Sequence, residues 1–343
     1  MMPLFWKTRS LWLWLLSGAV ISALLIASFL VRAWEQLNAP LNLSSSVVFE
    51  VSAGASLSRV ADELAGNGWL DYPLIFTLWS RITDSDGLLQ AGEYQLDPPI
   101  SAIQLLSKLT SGEVKQYQLT LVEGWTFTQA LNAIWSSPGI TATLAGQGGA
   151  AIAESLAFRF THPEGQLFPD TYFYTRGTTD REVLQRAHRR LLEILDETWE
   201  RRAGALPFNS PYEALILASI VEKETAVPDE RRQIAGVFIR RLEQNMRLQS
   251  DPTVIYGMGS RFDGNIDREA LNEVTPYNTY RVNGLPPSPI ALAGREAILA
   301  SVNPDTADAL YFVSRGDGSH QFSATLEEHN AAVRRYQLGE QPL

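Results

Sequence analysis

The chain has 343 residues, 45% of them hydrophobic, enough for about two domains with buried cores. A net charge of −10 argues against a nucleic-acid partner, and the absence of cysteine excludes disulfides, thiolate metal sites and cysteine nucleophiles. The histidines, His162, His188, His320 and His329, have no metal-ligand spacing, so neither a metal nor a cofactor is expected.

Residues 1–10 form a short tail carrying Lys7 and Arg9, and Leu11 to Val31 is an uncharged apolar run. It is long enough to cross a bilayer core of roughly 30 Å as one helix. Basic residues before the run place the tail in the cytoplasm and everything after residue 32 outside the inner membrane, although Arg32 follows directly. The run exceeds the ~7–15 apolar residues of a signal peptide, and Val31-Arg32-Ala33 is a poor cleavage site. An uncleaved single-pass anchor is therefore favoured over a cleaved leader.

Residues 32–44 read as a linker off the membrane. Val47 to Val51 alternate like a strand, and Ser56 is placed to cap a helix running to about Leu64, closed by Gly66-Asn67-Gly68. A helix from Pro73 to about Arg81, a strand near 92–96, a helix from Ser101 to about Leu109 and a strand over 116–122 follow. The stretches FEVSAGASLSRVADEL (49–64) and LTLVEGWTFTQALNAI (119–134) share a strand, a glycine, a capping hydroxyl and an amphipathic helix. They are either two related small α/β modules or two ordinary strand–turn–helix units. In the second, Thr126 and Gln129 have capping-box spacing.

The Gly/Ala-rich segment 139–152 reads as a mobile or inserted loop. Apolar residues from Val183 to Leu195 recur at helical spacing within 181–199, and Pro207 to Pro211 is a break. A helix begins near Tyr212, and another at Pro228 with acids in its first turn. After Asn245 the pattern gives short strands and loops until a last helix over 323–337. The class is α+β: a single N-terminal transmembrane helix, a small mixed module, and a mostly helical region with short strands.

The helix from Tyr212 ends in ASIVEKETAV, residues 218–227. Residues two apart on a helix point to nearly opposite sides, so Glu222 and Glu224 cannot share a face. Behind Glu224 stand Val221, Ile220 and Leu217; behind Glu222 stand Ser219, Ala218 and Leu215. Glu224 therefore emerges from the more apolar stripe, where its charged form is disfavoured and its pKa rises towards the range of a general acid. Glu222 and Lys223 suit solvent or a salt bridge. The pattern also permits Glu224 as a helix-end acid bonded to local backbone, Arg231 or Arg232.

LQSDPTVIYGMG (248–259) and YNTY (277–280) offer companion residues. Tyrosine rings can stack on sugar faces and amides can bond acetamido groups, so Gln249, Asp251, Tyr277, Asn278 and Tyr280 are candidate substrate-binding residues. GLPPSPI (284–290) reads as rigid scaffold, while FPDTYFY (168–174) fits scaffold or cleft. Glu123-Gly124-Trp125 is a candidate for the cleft rim. His320, Phe322, His329 and Asn330 are read as structural.

ASIVEKETAVPDE, LQSDPTVIYGMG, YNTYRVNGLPPSPI and FPDTYFY together resemble the YceG-like endolytic lytic transglycosylases over nearly the whole chain. The resemblance implies a LysM-like domain over 45–118 and a lysozyme/transglycosylase-like catalytic domain over 119–343. It implies peptidoglycan glycan strands as substrate, cut internally near the membrane, so that elongation ends beside the synthases making them. The family's catalytic acid is the second glutamate of E-K-E-T, which falls on Glu224. The step Glu224-Thr225 also looks like the Glu-Ser that ends the catalytic helix of other lytic transglycosylases and goose-type lysozymes. One acid suffices for such a reaction, because the substrate's own C6 hydroxyl attacks C1. A hydrolytic muramidase would need a second carboxylate, for which Asp251, Glu230 and Asp170 are the candidates. The remaining alternative is a non-catalytic peptidoglycan-binding scaffold.

Overall fold

The computed structural model describes residues 5–339, with side chains from residue 14 onward. The chain forms two compact units, Met1–Gln116 and Tyr117–Leu343.

In the first unit, α1 (Phe5–Asn38) contains the stretch Trp14–Asn38, the one helix among the described residues long and apolar enough to cross a membrane. It is followed by β1 (Val47–Val51), α2 (Leu57–Gly66), α3 (Pro73–Ile82), β2 (Gly92–Leu96) and α4 (Ala102–Ser111). β1 and β2 pair antiparallel, with Val47 opposite Leu96 and Val51 opposite Gly92. Ser56 caps α2 by accepting from Arg59 N, as its sequence position suggested. Segment 32–44, expected as a linker, is instead built in. Helix continues to Asn38, Leu37 and Leu41 are buried in the module core, and Leu41 N donates to Ile100 O at 2.8 Å. Their apolar side chains gain more from burial than a solvated tether would.

The second unit opens with β3 (Tyr117–Thr120), α5 (Phe127–Trp135), α6 (Gly149–Ser155), β4 (Thr171–Tyr174) and α7 (Asp180–Glu200). β3 and β4 pair antiparallel, Tyr117 opposite Tyr174. The turn into α5 passes through Gly124 at φ 77°, and Thr126 and Gln129 close a full capping box. The segment 139–152 is not a free loop. Buried Asp180 accepts from Thr143 N, Thr143 Oγ1 and Leu144 N at 2.6–2.9 Å, Leu144 is in the core, and α6 begins at Gly149. Its glycines and alanines hid a segment held by hydrogen bonds to one carboxylate.

The chain continues through α8 (Pro211–Glu224), α9 (Arg231–Glu243), α10 (Asp251–Met258), α11 (Arg268–Asn272) and α12 (Arg295–Val302). A hairpin of β5 (Tyr311–Ser314) and β6 (His320–Ser323) then leads to α13 (Leu326–Tyr336). Every residue of α8 from Ala214 to Val221 is buried, and α12 packs on both α8 and α9. A helix apolar all round is a core helix, and α8 is the axis of this core. The helices α10, α11 and α12 replace the strands and loops expected after Asn245. They are five to eight residues long and too short to carry a periodic stripe.

Candidate active site

Glu224 is the last residue of α8, and Thr225 leaves the helix in extended conformation. The Glu224 carboxyl is half-buried and lines a cavity of about 540 Å³. Ser250, at the N-terminus of α10, donates to Glu224 Oε1 at 2.5 Å. Burial pushes the Glu224 carboxyl up to about 7; the Ser250 bond opposes this, the Asp251 charge adds to it, and Arg241 opposes it. Such a carboxyl is poised to give or take a proton near neutrality.

The motifs QSDPT and YNTY are parts of one assembly. Buried Thr279 joins them: its hydroxyl accepts from Ser250 N at 3.0 Å and meets Thr253 Oγ1 at 2.9 Å, and its carbonyl accepts from Gln249 N at 3.2 Å. Gln249 is held at φ 53°, a strained value for a side chain of its size. This chain of bonds places Ser250 against the acid. Tyr280 donates to Asp251 Oδ1 at 2.7 Å, and Gln249, Asp251 and Tyr280 all line the cavity.

Two of the sequence-named residues sit behind the wall rather than on it. Asn278 is 1% exposed, and its amide nitrogen donates to the carbonyls of Ala270, Leu271 and Glu273 while its oxygen accepts from Tyr280 N. The Tyr277 hydroxyl meets Ser288 at 2.7 Å, and its ring leans on Tyr256 at 4.8 Å. Neither lines the cavity. Asn278 fastens the loop and so presents Tyr280.

The opposite wall of the cavity includes three residues read as structural in the sequence, His320, His329 and Asn330, and Tyr311, which the sequence reading did not single out. Glu230, one of the candidate second carboxylates, lies behind this wall: it accepts from His320 N at 2.8 Å and from His320 Nδ1 at 2.7 Å. Thr225 Oγ1 donates to the same carboxylate at 3.4 Å, so the residue after the acid is tied to the far wall. His329 stacks on Tyr311 at 5.2 Å, and burial pushes its imidazole pKa down, which keeps it neutral. Buried Arg241 stands in the sequence only as one position of the α9 stripe Ile234, Val237, Phe238, Arg241-Leu242. It donates to Leu310 O and Leu248 O, each at 2.7 Å, which joins the hairpin to the segment that bears Gln249. A charged residue within the apolar face of a helix was the available signal.

The other acids are accounted for. Glu222 is buried on the far side of α8, where Gly294 N donates to it at 2.9 Å and Arg231 lies 3.8 Å away. Burial raises its pKa, but it does not line the cavity. Lys223 donates to Gly124 O at 3.3 Å, and Glu123 lies against Gly294, so Glu123-Gly124 braces the back of the helix end. Asp170 is exposed at the start of β4, outside the cavity. Glu164 is buried, with Phe127 N donating at 2.7 Å, Gly165 N at 3.2 Å and Tyr256 OH at 3.1 Å. Its neighbour Gly165, at φ 74°, packs so closely on Pro289 that a Cβ would collide, which joins FPDTYFY's leader to the proline loop.

The model of the YceG-like family matches residues 49–335. The endolytic murein transglycosylase of Bacillus subtilis is 32% identical over 312 residues, which cover 85% of this chain and 85% of that protein. The endolytic murein transglycosylase of Streptococcus pneumoniae strain D39 is 28% identical over 337 residues, 86% of this chain but 59% of the relative. The crystal structure of a YceG-like protein of Listeria monocytogenes matches with a TM-score of 0.54 at 28% identity, covering 84% of this chain and 99% of that one.

Proposed function

The chain belongs to the YceG-like family, and on that premise we propose that it is an endolytic murein transglycosylase with Glu224 as its catalytic acid–base. The observation that carries the assignment is a helix-terminal carboxyl raised to about 7 that opens on a cavity and is bonded to a single hydroxyl.

In this reaction Glu224 protonates the glycosidic oxygen between N-acetylmuramic acid and N-acetylglucosamine as the bond to C1 breaks. The C6 hydroxyl of the muramic acid then attacks C1 and loses its proton to the Glu224 carboxylate. The product ends in a 1,6-anhydro ring, no water is consumed, and the acid is regenerated. Ser250 holds the carboxyl in place, and the raised pKa keeps it protonated until it is needed. Gln249, Asp251 and Tyr280 on one wall, with His320 and Asn330 on the other, supply groups for the sugar's hydroxyl and acetamido substituents, and Tyr311 an aromatic face.

The proposal includes α1 as an uncleaved inner-membrane anchor with the tail before it in the cytoplasm, and cleavage of new strands beside the synthases that make them. It also includes the first unit as a LysM-like glycan-binding module. The order strand, helix, helix, strand, with the strands paired antiparallel, supports that last reading.

The test compares the detergent-purified chain with its Glu224→Gln variant on uncross-linked glycan strands, with products weighed by mass spectrometry. Anhydro-ended fragments, lighter by one water than hydrolysis products, are expected from the wild type alone. Reducing ends would replace the reading by a hydrolase and turn attention to Asp251. Binding without cleavage by either protein would leave a scaffold.

A further inference from the structure

We propose that α3 lies in the outer leaflet of the membrane that α1 crosses, with Leu74, Leu78 and Ile82 against the acyl chains. The inference rests on the reading of α1 as a membrane span.

The three residues are spaced four apart, so they form one stripe on one face of α3. They are 84%, 51% and 68% exposed, while Phe76 and Ser80 on the other face are fully buried in the module core. Three large aliphatic side chains in an unbroken exposed row require a covering that water cannot provide.

The depth of α3 follows from what it touches. Phe29, Leu30 and Trp34 of α1 and Leu78, Trp79 and Ile82 of α3 line one apolar cleft of about 250 Å³. Trp34 and Trp79 meet edge to face at 5.5 Å. Leu30 belongs to the apolar run itself and stands about 1.5 Å short of its end at Val31. Residues that share a cleft with Phe29 and Leu30 therefore sit at the depth where acyl chains meet headgroups. Lipid that covers the exposed face of α1 continues over the stripe without a break, whereas a protein partner would first have to displace that lipid.

The flanking chemistry sets a limit to the depth. Asp71 precedes α3 and Asp84 and Asp86 follow it, all exposed, so both helix ends stay at the polar surface. Arg81 is exposed on the same helix and can extend its head to the phosphates. The tryptophan pair lies at the level where such rings concentrate in membrane proteins. The arrangement is that of an interfacial helix lying in the plane beside a span.

The chain has no cysteine, so single cysteines can be introduced and labelled with an environment-sensitive fluorophore. The full chain, reconstituted in phosphatidylcholine vesicles, carries the label through Leu74→Cys, Leu78→Cys or Ile82→Cys. Leu25→Cys marks the span and Asp62→Cys an exposed site on α2. The labels on α3 are expected to be quenched by nitroxide lipid and to be several-fold less accessible to aqueous iodide than the label at position 62. Iodide access at all three, with position 25 still quenched by lipid, overturns the proposal and leaves the span intact. Shielding from both quenchers overturns it in favour of a second copy covering the face. Iodide access at position 25 removes the span and the proposal together.

Discussion

Glu164 is buried and Glu224 half-buried, and burial pushes both carboxyls up to about 7. Around Glu164, two backbone N–H groups and a tyrosine hydroxyl occupy the oxygens, and the residue does not line the cavity that holds Glu224. Around Glu224 one serine hydroxyl takes one oxygen, and the residue lines the cavity. A raised pKa therefore does not by itself mark a catalytic acid. Under the proposed function, Glu224 is set apart from Glu164 by a place on a cavity that a substrate can enter. Glu164 holds the α5 turn to α10, and Glu224 is left free to exchange a proton.

The largest expected effect separates the two directly. Glu224→Gln should lower turnover by ~10²- to 10⁴-fold with little loss of stability, measured as anhydro-end formation beside urea unfolding. Glu164→Ala should do the reverse, leaving three donors without an acceptor. A stability loss of about 1–3 kcal/mol is expected, with turnover per folded molecule within several-fold of wild type. If Glu164→Ala abolished turnover in a stably folded protein, the comparison would break.

The pH dependence of stability tests what the two share. Both carboxyls hold their protons more tightly folded than unfolded, above the ordinary value of 4.5. Their contribution is fully present below about 4.5, falls as pH rises, and is gone above about 7. The urea midpoint should decline across that window, and Glu164→Gln with Glu224→Gln should flatten the decline. An unchanged slope would mean that neither group is desolvated as described.

The smallest effect concerns Glu224 alone. Activity should fall at alkaline pH as the acid loses its proton. Ser250→Ala removes a bond that lowers the Glu224 pKa, and Asp251→Asn removes a charge that raises it. The alkaline limb should therefore move up in the first variant and down in the second, each by less than about one unit. Movement in the same direction would refute the assignment of the two neighbours.

Much of the fold was legible where local chemistry decides it. Ser56 and Thr126 cap the helices their spacing indicated, and α8 ends at Glu224. The face argument gave Glu224 the apolar side and Glu222 solvent or a salt bridge, and Glu222 does pair with Arg231. In the structure both sides of α8 are buried, and the acids differ in what adjoins them: a cavity, or a backbone N–H and an arginine. No periodicity reports that difference. The wall bearing His320, His329 and Asn330 was missed because it faces Glu224 through tertiary pairing alone. Asn278 looked like a sugar ligand because an amide that binds an acetamido group and one that binds three carbonyls read identically.

The link from Glu230 to His320, to which Thr225 is tied, spans ninety positions, and the wall it secures extends through α13. A growing chain thus carries Glu224 out of the ribosome well before the residues that shelter it. The cavity beside Glu224 is complete only once α13 has folded back onto it, so the shelter of the carboxyl depends on a helix about a hundred positions downstream.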